Sequence, residues 1–219
     1  VVNAIPDQTL VYGVSSKYIV PANTFADVDS SNLTFSATKG DGTALPAWLS
    51  FDSATRTFTG TPTSTTDLNV IVTASDGSLS VSDTFRINIA PVVSTVAIAS
   101  ATGIQSSLLN ALDVVSAKVT FSEAVSVTGT PRLALNIGGT TVYADYASGT
   151  GTSALTFKYT IKDGEVDANG ISVGANALSL NAGTIKDAGG NEAILTTSAV
   201  TDNAAYMVDT TAPTVAVTM

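Results

Sequence analysis

The segment DTFRINIA, residues 83–90, alternates without a break. In an extended chain Phe85, Ile87 and Ile89 fall on one side, and Thr84, Arg86 and Asn88 on the other. That period belongs to a half-buried strand and not to a helix. Similar runs recur along the chain: LTFSAT, LNVIVTA, STVAIAS, VVSAKVTF, PRLALNI, TVYADYA and ALTFKYTI each read as a strand closed by turn residues. Thr and Val, which suit a pleated and half-buried surface, are abundant in them. No long amphipathic helical pattern is present. SSLLNALDVV could close one helical turn, but it reads better as the approach to the strand that follows. The expected class is all-β, as two tandem antiparallel β-sandwiches.

The chain of 219 residues suits two sandwich domains of about 100 residues each. One boundary is visible in RINIAPVVSTVAIAS, where Pro91 cannot donate to a ladder and suits a short stiff connector. A second lies in YMVDTTAPTVAVTM, where Asp209 to Pro213 again separates two β runs. The expected domains are 1–90 and 91–209, with 210–219 a linker and the start of a following repeat. Two connectors of one kind imply a tandem array. Val1 is not an initiator methionine and PTVAVTM stops in mid-strand, so the sequence reads as part of a longer protein.

The chain contains no Cys and no His. Disulfides, thiolate chemistry, structural zinc and imidazole acid–base catalysis are therefore excluded. Asp and Glu total 18 against 9 Lys and Arg, a net charge of −9. That balance argues against nucleic acid, whose binders need a basic stripe, and against an anionic membrane surface. No apolar run reaches transmembrane length. No phosphate-cradling Gly-rich loop or nucleophile elbow is present, so no enzyme is expected. Acidic side chains clustered on loops suit a hard cation instead.

The stretch LPAWLSFDSATRTFTGTPT, residues 45–63, holds the one tryptophan. It reads as a hairpin. Phe51 ends the first strand, Asp52 caps the turn, Ser53 to Thr55 form its tip and Phe58 lies on the return. Pro46 stiffens the backbone ahead of Trp48. The indole reads as a core plug between sheets, with a ligand platform as the alternative. Together with NAIPDQTLVYG, FADVDSSNLTFSAT and VTASDGSLSVSDTFRINI, this stretch resembles the dystroglycan-type cadherin-like domain, an Ig-like family. The resemblance covers nearly all of residues 1–90. It implies a sandwich with calcium at the junction between neighbouring domains.

The residues invite a cation on their own account. Asp27 and Asp29, two apart in an extended segment, put both carboxylates on one side. Asp76, in TASDG, stands at a strand end. By the resemblance these three match calcium positions, and Asn3 matches a linker asparagine. Calcium takes about six to eight oxygens, so a preceding domain would supply the rest. Ordinary Asp turns are the competing reading. The SSN that follows Asp29, where many relatives carry further acids, departs from the pattern.

From VSAKVTF to LSLNAGTIKDAGGNEA and VDTTAPT, residues 91–209 resemble the bacterial Ig-like repeats of very large surface adhesins, including the repeats-in-toxin type. Such domains are extenders, often stiffened by calcium. Three acidic groups stand out here. Glu123 ends a strand in TFSEAV. Asp187 opens, and Asn191 closes, the loop DAGGN, which could share a pole with Glu123. By the resemblance Asp209 would serve the next domain. In DGEVDANG, Asp163, Glu165, Asp167 and Asn169 alternate ahead of Gly170, like half of a calcium loop. Gly174 stands where an EF-hand needs its last Glu, so this is no EF-hand, and a solvated turn reads equally well.

The expected function is that of a calcium-stiffened extender segment of a large bacterial surface adhesin, extracellular and involved in cell adhesion and biofilm. Its expected cofactor is Ca2+ and its partners are neighbouring repeats of the same chain, with a monomer in isolation. The alternative is a carbohydrate- or peptide-binding module taking a surface glycan or peptide, with Tyr12, Tyr18, Trp48, Tyr143 or Tyr146 as platform.

Overall fold

The structure is a computed structural model, which describes residues 1–29 and 32–212. Most of the expected linker and start of a following repeat, residues 213–219 of 210–219, and part of the SSN departure lie outside the described residues. The chain divides between Pro91 and Val92 into two compact units. Ala90 and Pro91 are both buried. Val92 is already tied into the second unit: its carbonyl accepts from the Ser122 amide at 2.9 Å, and its amide donates to the Ser122 hydroxyl at 3.1 Å. Among the described residues no helix is long and apolar enough to cross a membrane.

The first unit contains β1 (Gln8–Val11), β2 (Ser16–Ile19), β3 (Thr34–Lys39), β4 (Leu49–Asp52), β5 (Thr57–Gly60), β6 (Leu68–Ser75) and β7 (Ser80–Ala90). One sheet runs β1-β7-β6-β3 and the other β2-β5-β4. Alternation along β7 works as read: Phe85, Ile87 and Ile89 are buried while Thr84, Arg86 and Asn88 are not. With Val70, Val72 and Ala74 of β6, and Val20, Leu49 and Phe58 from the other sheet's side, they form one apolar cluster. Burial of this surface drives folding at about 25 cal/mol per Å2.

The second unit contains β8 (Val93–Thr102), β9 (Leu108–Leu109), β10 (Val114–Thr128), β11 (Arg132–Ile137), β12 (Thr140–Ser148), β13 (Thr152–Thr160), β14 (Val166–Asp167), β15 (Leu178–Ser179), β16 (Thr184–Lys186) and β17 (Met207–Asp209). The large sheet is ordered β15-β11-β12-β13-β10-β16, with β8 also on β10, and a small sheet is ordered β14-β17-β9. A second cluster, centred on Phe157, Leu133, Leu135, Leu155 and Ile161, fills the space inside.

Two details differ from the sequence reading. First, β1 pairs with β7, and β17 with β9, in parallel, so the sandwiches are not antiparallel throughout. A parallel pair joins strands far apart in sequence, and alternation alone carries no sign of its direction. Second, Glu123 does not end its strand. β10 runs on to Thr128, because Val125 and Val127 resume the alternation, and its ladder to β13 shifts register between Thr120 and Val125. SSLLNALDVV leads into β10, as the sequence reading preferred: it forms the two-residue β9, a turn in which Leu112 takes a positive φ of 75°, and the first two residues of that strand.

Trp48 packs against the first cluster but is only half-buried. The interior positions belong to Phe58 and Phe85, whose rings meet edge-on at 5.6 Å. The hairpin itself forms, with Phe51 opposite Phe58 and Asp52 opposite Thr57. Oδ1 of Asp52 accepts from the amides of Ala54 and Thr55 at 2.9 and 3.2 Å.

Candidate functional site

β6 ends at Ser75, which delivers Asp76 to the edge of the first unit. The turn after it is closed by Asp76 itself, whose Oδ1 accepts from the amides of Ser78 and Leu79, both at 2.7 Å. Those two donors hold the Asp76 carboxyl below its ordinary value. Asp27 and Asp29 come from the segment leading to β3, the neighbour of β6 in the sheet. Between them Val28 is fully exposed, and the chain bends at Val28 and Asp29.

One carboxylate oxygen from each of Asp27, Asp29 and Asp76 lies within 4.8 Å of the others. The amide of Asp29 donates to Oδ1 of Asp27 at 3.0 Å. The Asp29 carboxyl is pushed above its ordinary value, first by its hydrogen bond with the Asp27 carboxyl, then by the Asp27 charge and weakly by that of Asp76. Two carboxyls so close resist joint ionisation. Three hard oxygen donors in one place fit a hard divalent cation such as Ca2+ and are poor ligands for a soft one. Asn3 is engaged elsewhere, its side-chain amide donating to the carbonyl of Asn23 at 2.8 Å.

The acidic residues of the second unit are arranged differently. Asp187 is buried, and both its oxygens go to Asn191: Oδ1 accepts from the backbone amide at 2.8 Å and Oδ2 from the side-chain amide at 2.7 Å. The DAGGN loop is thus closed by its own first and last residues. Pairing of β16 with the end of β10, Ser126 opposite Lys186, carries Asp187 toward the Glu123 end of that strand.

In DGEVDANG the four acceptors diverge. Glu165 accepts from the Tyr159 hydroxyl at 2.5 Å and from the Lys162 amide at 2.9 Å. Asp167 is buried, taking the amides of Gly138 and Gly170 at 2.9 Å and that of Asn169 at 3.3 Å. Asn169 donates its side-chain amide to Asp202. Asp163 is left on an exposed turn. The structure does not bring these four together. Asp209 stands opposite Val166, and its Oδ1 accepts from the Thr211 amide at 2.8 Å, which holds its carboxyl low.

Several acids that sequence reasoning passed over act as pins for distant backbone. Asp83 accepts from the Ile5 amide at 2.6 Å, and Asp7 from the Arg86 amide at 2.7 Å. Asp67 takes the Ile89 amide at 2.7 Å and the Arg86 guanidinium at 2.5 Å. Each pair spans from 19 to 79 positions, and no local pattern announces it.

Two all-β units, each with two sheets closed over one apolar cluster, define a protein of tandem β-sandwiches. Residues 1–90 match the family described as Putative Ig domain, and the match ends with the first unit. No curated protein matches the sequence. Among solved structures the chain is similar to the I-band fragment I67-I69 from titin, with 9% identity and a TM-score of 0.45 over 94% of this chain and 63% of that one. It is also similar to extracellular domains 3-5 of Drosophila OTK, with 12% identity and a TM-score of 0.42 over 85% and 56%. A third likeness is to an endo-fucoidan hydrolase of glycoside hydrolase family 107, with 14% identity and a TM-score of 0.32 over 84% and 32%. The chain therefore spans under two thirds of each of these. At such values the likenesses add nothing to what the strands and registers establish.

Proposed function

We propose that this chain is an extender segment of a large bacterial cell-surface adhesin, stiffened by Ca2+ and working outside the cell between neighbouring repeats of its own chain. The observation that carries this reading is the convergence of Asp27, Asp29 and Asp76 at one end of the first unit. Three carboxylates supply only part of the shell of about six to eight oxygens that calcium takes, so a neighbouring domain completes it. The surroundings support that arrangement. Val1 and Leu79 line the depression that holds Asp27 and Asp76, and both are exposed, as is Val28. An apolar rim around hard oxygen donors suits a protein surface that covers it. Calcium there binds the folded form and adds to its stability, and it links adjoining domains against bending.

The test is thermal melting and small-angle scattering of the chain, alone and with a preceding repeat attached, in millimolar calcium and in chelator. Calcium should raise the melting temperature of the first unit and lengthen the two-repeat particle. Asp76→Asn should remove both effects. Equal melting and equal scattering with and without calcium would overturn the proposal.

A further inference from the structure

The aromatic side chains offered by the sequence do not stand alike. Tyr12 and Tyr18 lie half-buried on the first cluster and Tyr146 on the second. Tyr146 is further fixed by its hydroxyl, which accepts from the Thr150 amide at 2.8 Å. Tyr143 is 52% exposed. It projects from the outer face of β12, opposite Ala134 of β11, whose methyl group crowds it little.

The neighbouring rungs of that face differ in character. On one side Arg132 lies opposite Asp145, and on the other Asn136 lies opposite Thr141. The guanidinium of Arg132 stands over the Tyr143 ring, 6.0 Å from its centre, and its Nε donates to Oδ1 of Asp145 at 3.0 Å. The ring is thus braced from the charged side, an attraction that aromatic quadrupoles supply. Beside the ring lies a trough of about 380 Å3 lined by Tyr143, Ala134, Asn136, Thr141, Asn176 and Ser179, the last from the rung of Arg132, with Gly174 as part of its low wall. No charged side chain lines it.

We infer that this trough is a binding site for one or two rings of a neutral saccharide. A pyranose presents a C–H face, whose partial positive charge complements the negative face of an aromatic ring. Its hydroxyls both donate and accept, and amides and hydroxyls are the side chains that do the same. The volume lies at the small end of the range for ligand sites, about 300–1,000 Å3. The uncharged lining offers nothing to an acidic sugar, which a chain of net charge −9 also repels.

An extended peptide is disfavoured for a separate reason. β11 is paired with β12 on one side. On its other side it pairs with β15, while Ala134 and Asn136 donate to the carbonyls of Ala177 and Ser172 at 3.0 and 2.8 Å. An added strand would find those amides already taken.

The site is independent of the calcium reading, so its test is run in chelator. The full chain, labelled for NMR, is titrated with methyl glycosides of glucose, galactose, mannose and N-acetylglucosamine, with their disaccharides, with a glucuronide and with a capped extended hexapeptide. A neutral sugar should give saturable shifts centred on Tyr143, Asn136 and Asn176, with a dissociation constant of about millimolar order, as an open site allows. Tyr143→Ala should weaken binding about tenfold or more with an unchanged melting temperature, and Tyr143→Phe should keep it within about threefold, since the ring face remains. Absence of saturable shifts with every neutral sugar overturns the inference. So does undiminished binding by Tyr143→Ala, tighter binding of the glucuronide, or shifts at these residues with the peptide alone.

Discussion

A Cβ placed on Gly60 would stand 2.3 Å from the carbonyl oxygen of Trp48 and 3.1 Å from Cα of Leu49. The Gly-Thr-Pro that follows the hairpin is therefore a steric requirement of the Leu-Pro-Ala-Trp-Leu that precedes it. The Thr61 amide, one residue on, donates to that same Trp48 carbonyl at 3.2 Å. Gly60→Ala should cost about 1–3 kcal/mol, the usual range for forcing a methyl into packed structure. Because the obstacle is backbone, no side chain can turn aside to relieve it. Urea unfolding followed by Trp48 fluorescence measures the loss directly, since the first unit holds the one tryptophan.

Trp48 itself gives a graded expectation. Half-buried against the cluster of Phe58 and Phe85, it should contribute about 2 kcal/mol of apolar burial, less than a fully enclosed aromatic. Trp48→Ala should lower the midpoint of the first unit's unfolding and leave that of the second unchanged. Calorimetry that resolves the two units checks this.

Asp167 joins three amides that no other group serves. Its Oδ2 takes Gly138 between β11 and β12, and its Oδ1 takes Asn169 and Gly170. Gly138 has a positive φ of 55° and sits so close to Val166 that a Cβ would meet its carbonyl oxygen at 2.0 Å. A buried amide left without an acceptor costs about 1–3 kcal/mol. Asp167→Ala should destabilise the second unit by at least that amount, and Asp167→Asn by less, because one carbonyl oxygen remains. Hydrogen exchange at Gly138 and Gly170 should accelerate in both variants.

These pins show where sequence reading reaches its end. The alternation in β7 was enough to assign Phe85, Ile87 and Ile89 to the core, because pleat geometry is local. Asp27 and Asp29 meet through a bend at Val28 and Asp29, where the Asp29 amide donates back to the Asp27 carboxylate, a turn that the two-residue period does not describe. Asp76 joins them because β3 and β6 are sheet neighbours, a fact of topology that its place in TASDG only hints at. The parallel pairing of β1 with β7, and the reach of Asp83 to Ile5, join residues 78 or more positions apart. Nothing in either local stretch names the other. Asp167 illustrates the same limit from within a motif. Its alternation with Asp163 and Glu165 suggests one shared ion, but burial sends its oxygens to backbone amides.

The acids at the surface should respond to pH with opposite signs. Asp41, Asp52, Asp76 and Asp209 each accept hydrogen bonds within a turn, from Thr43, from Ala54 and Thr55, from Ser78 and Leu79, and from Thr211 respectively. Their folded carboxyls lie below the ordinary 3.8. The unfolded chain then binds more protons, so their contribution is fully present above that value and is lost as pH falls through the lower folded values. Asp29 has the reverse sign. Its folded carboxyl is raised by its hydrogen bond with Asp27 and by the charge beside it, so its ionisation opposes folding above that raised value. In chelator at neutral pH, Asp29→Asn should therefore raise the melting temperature of the first unit. The gain should shrink as pH falls through the raised Asp29 titration, where the wild-type carboxyl protonates and the conflict disappears. Melting curves of both proteins from neutral pH to below that point measure it. A gain that stayed constant across the range would show that the Asp27–Asp29 conflict is absent.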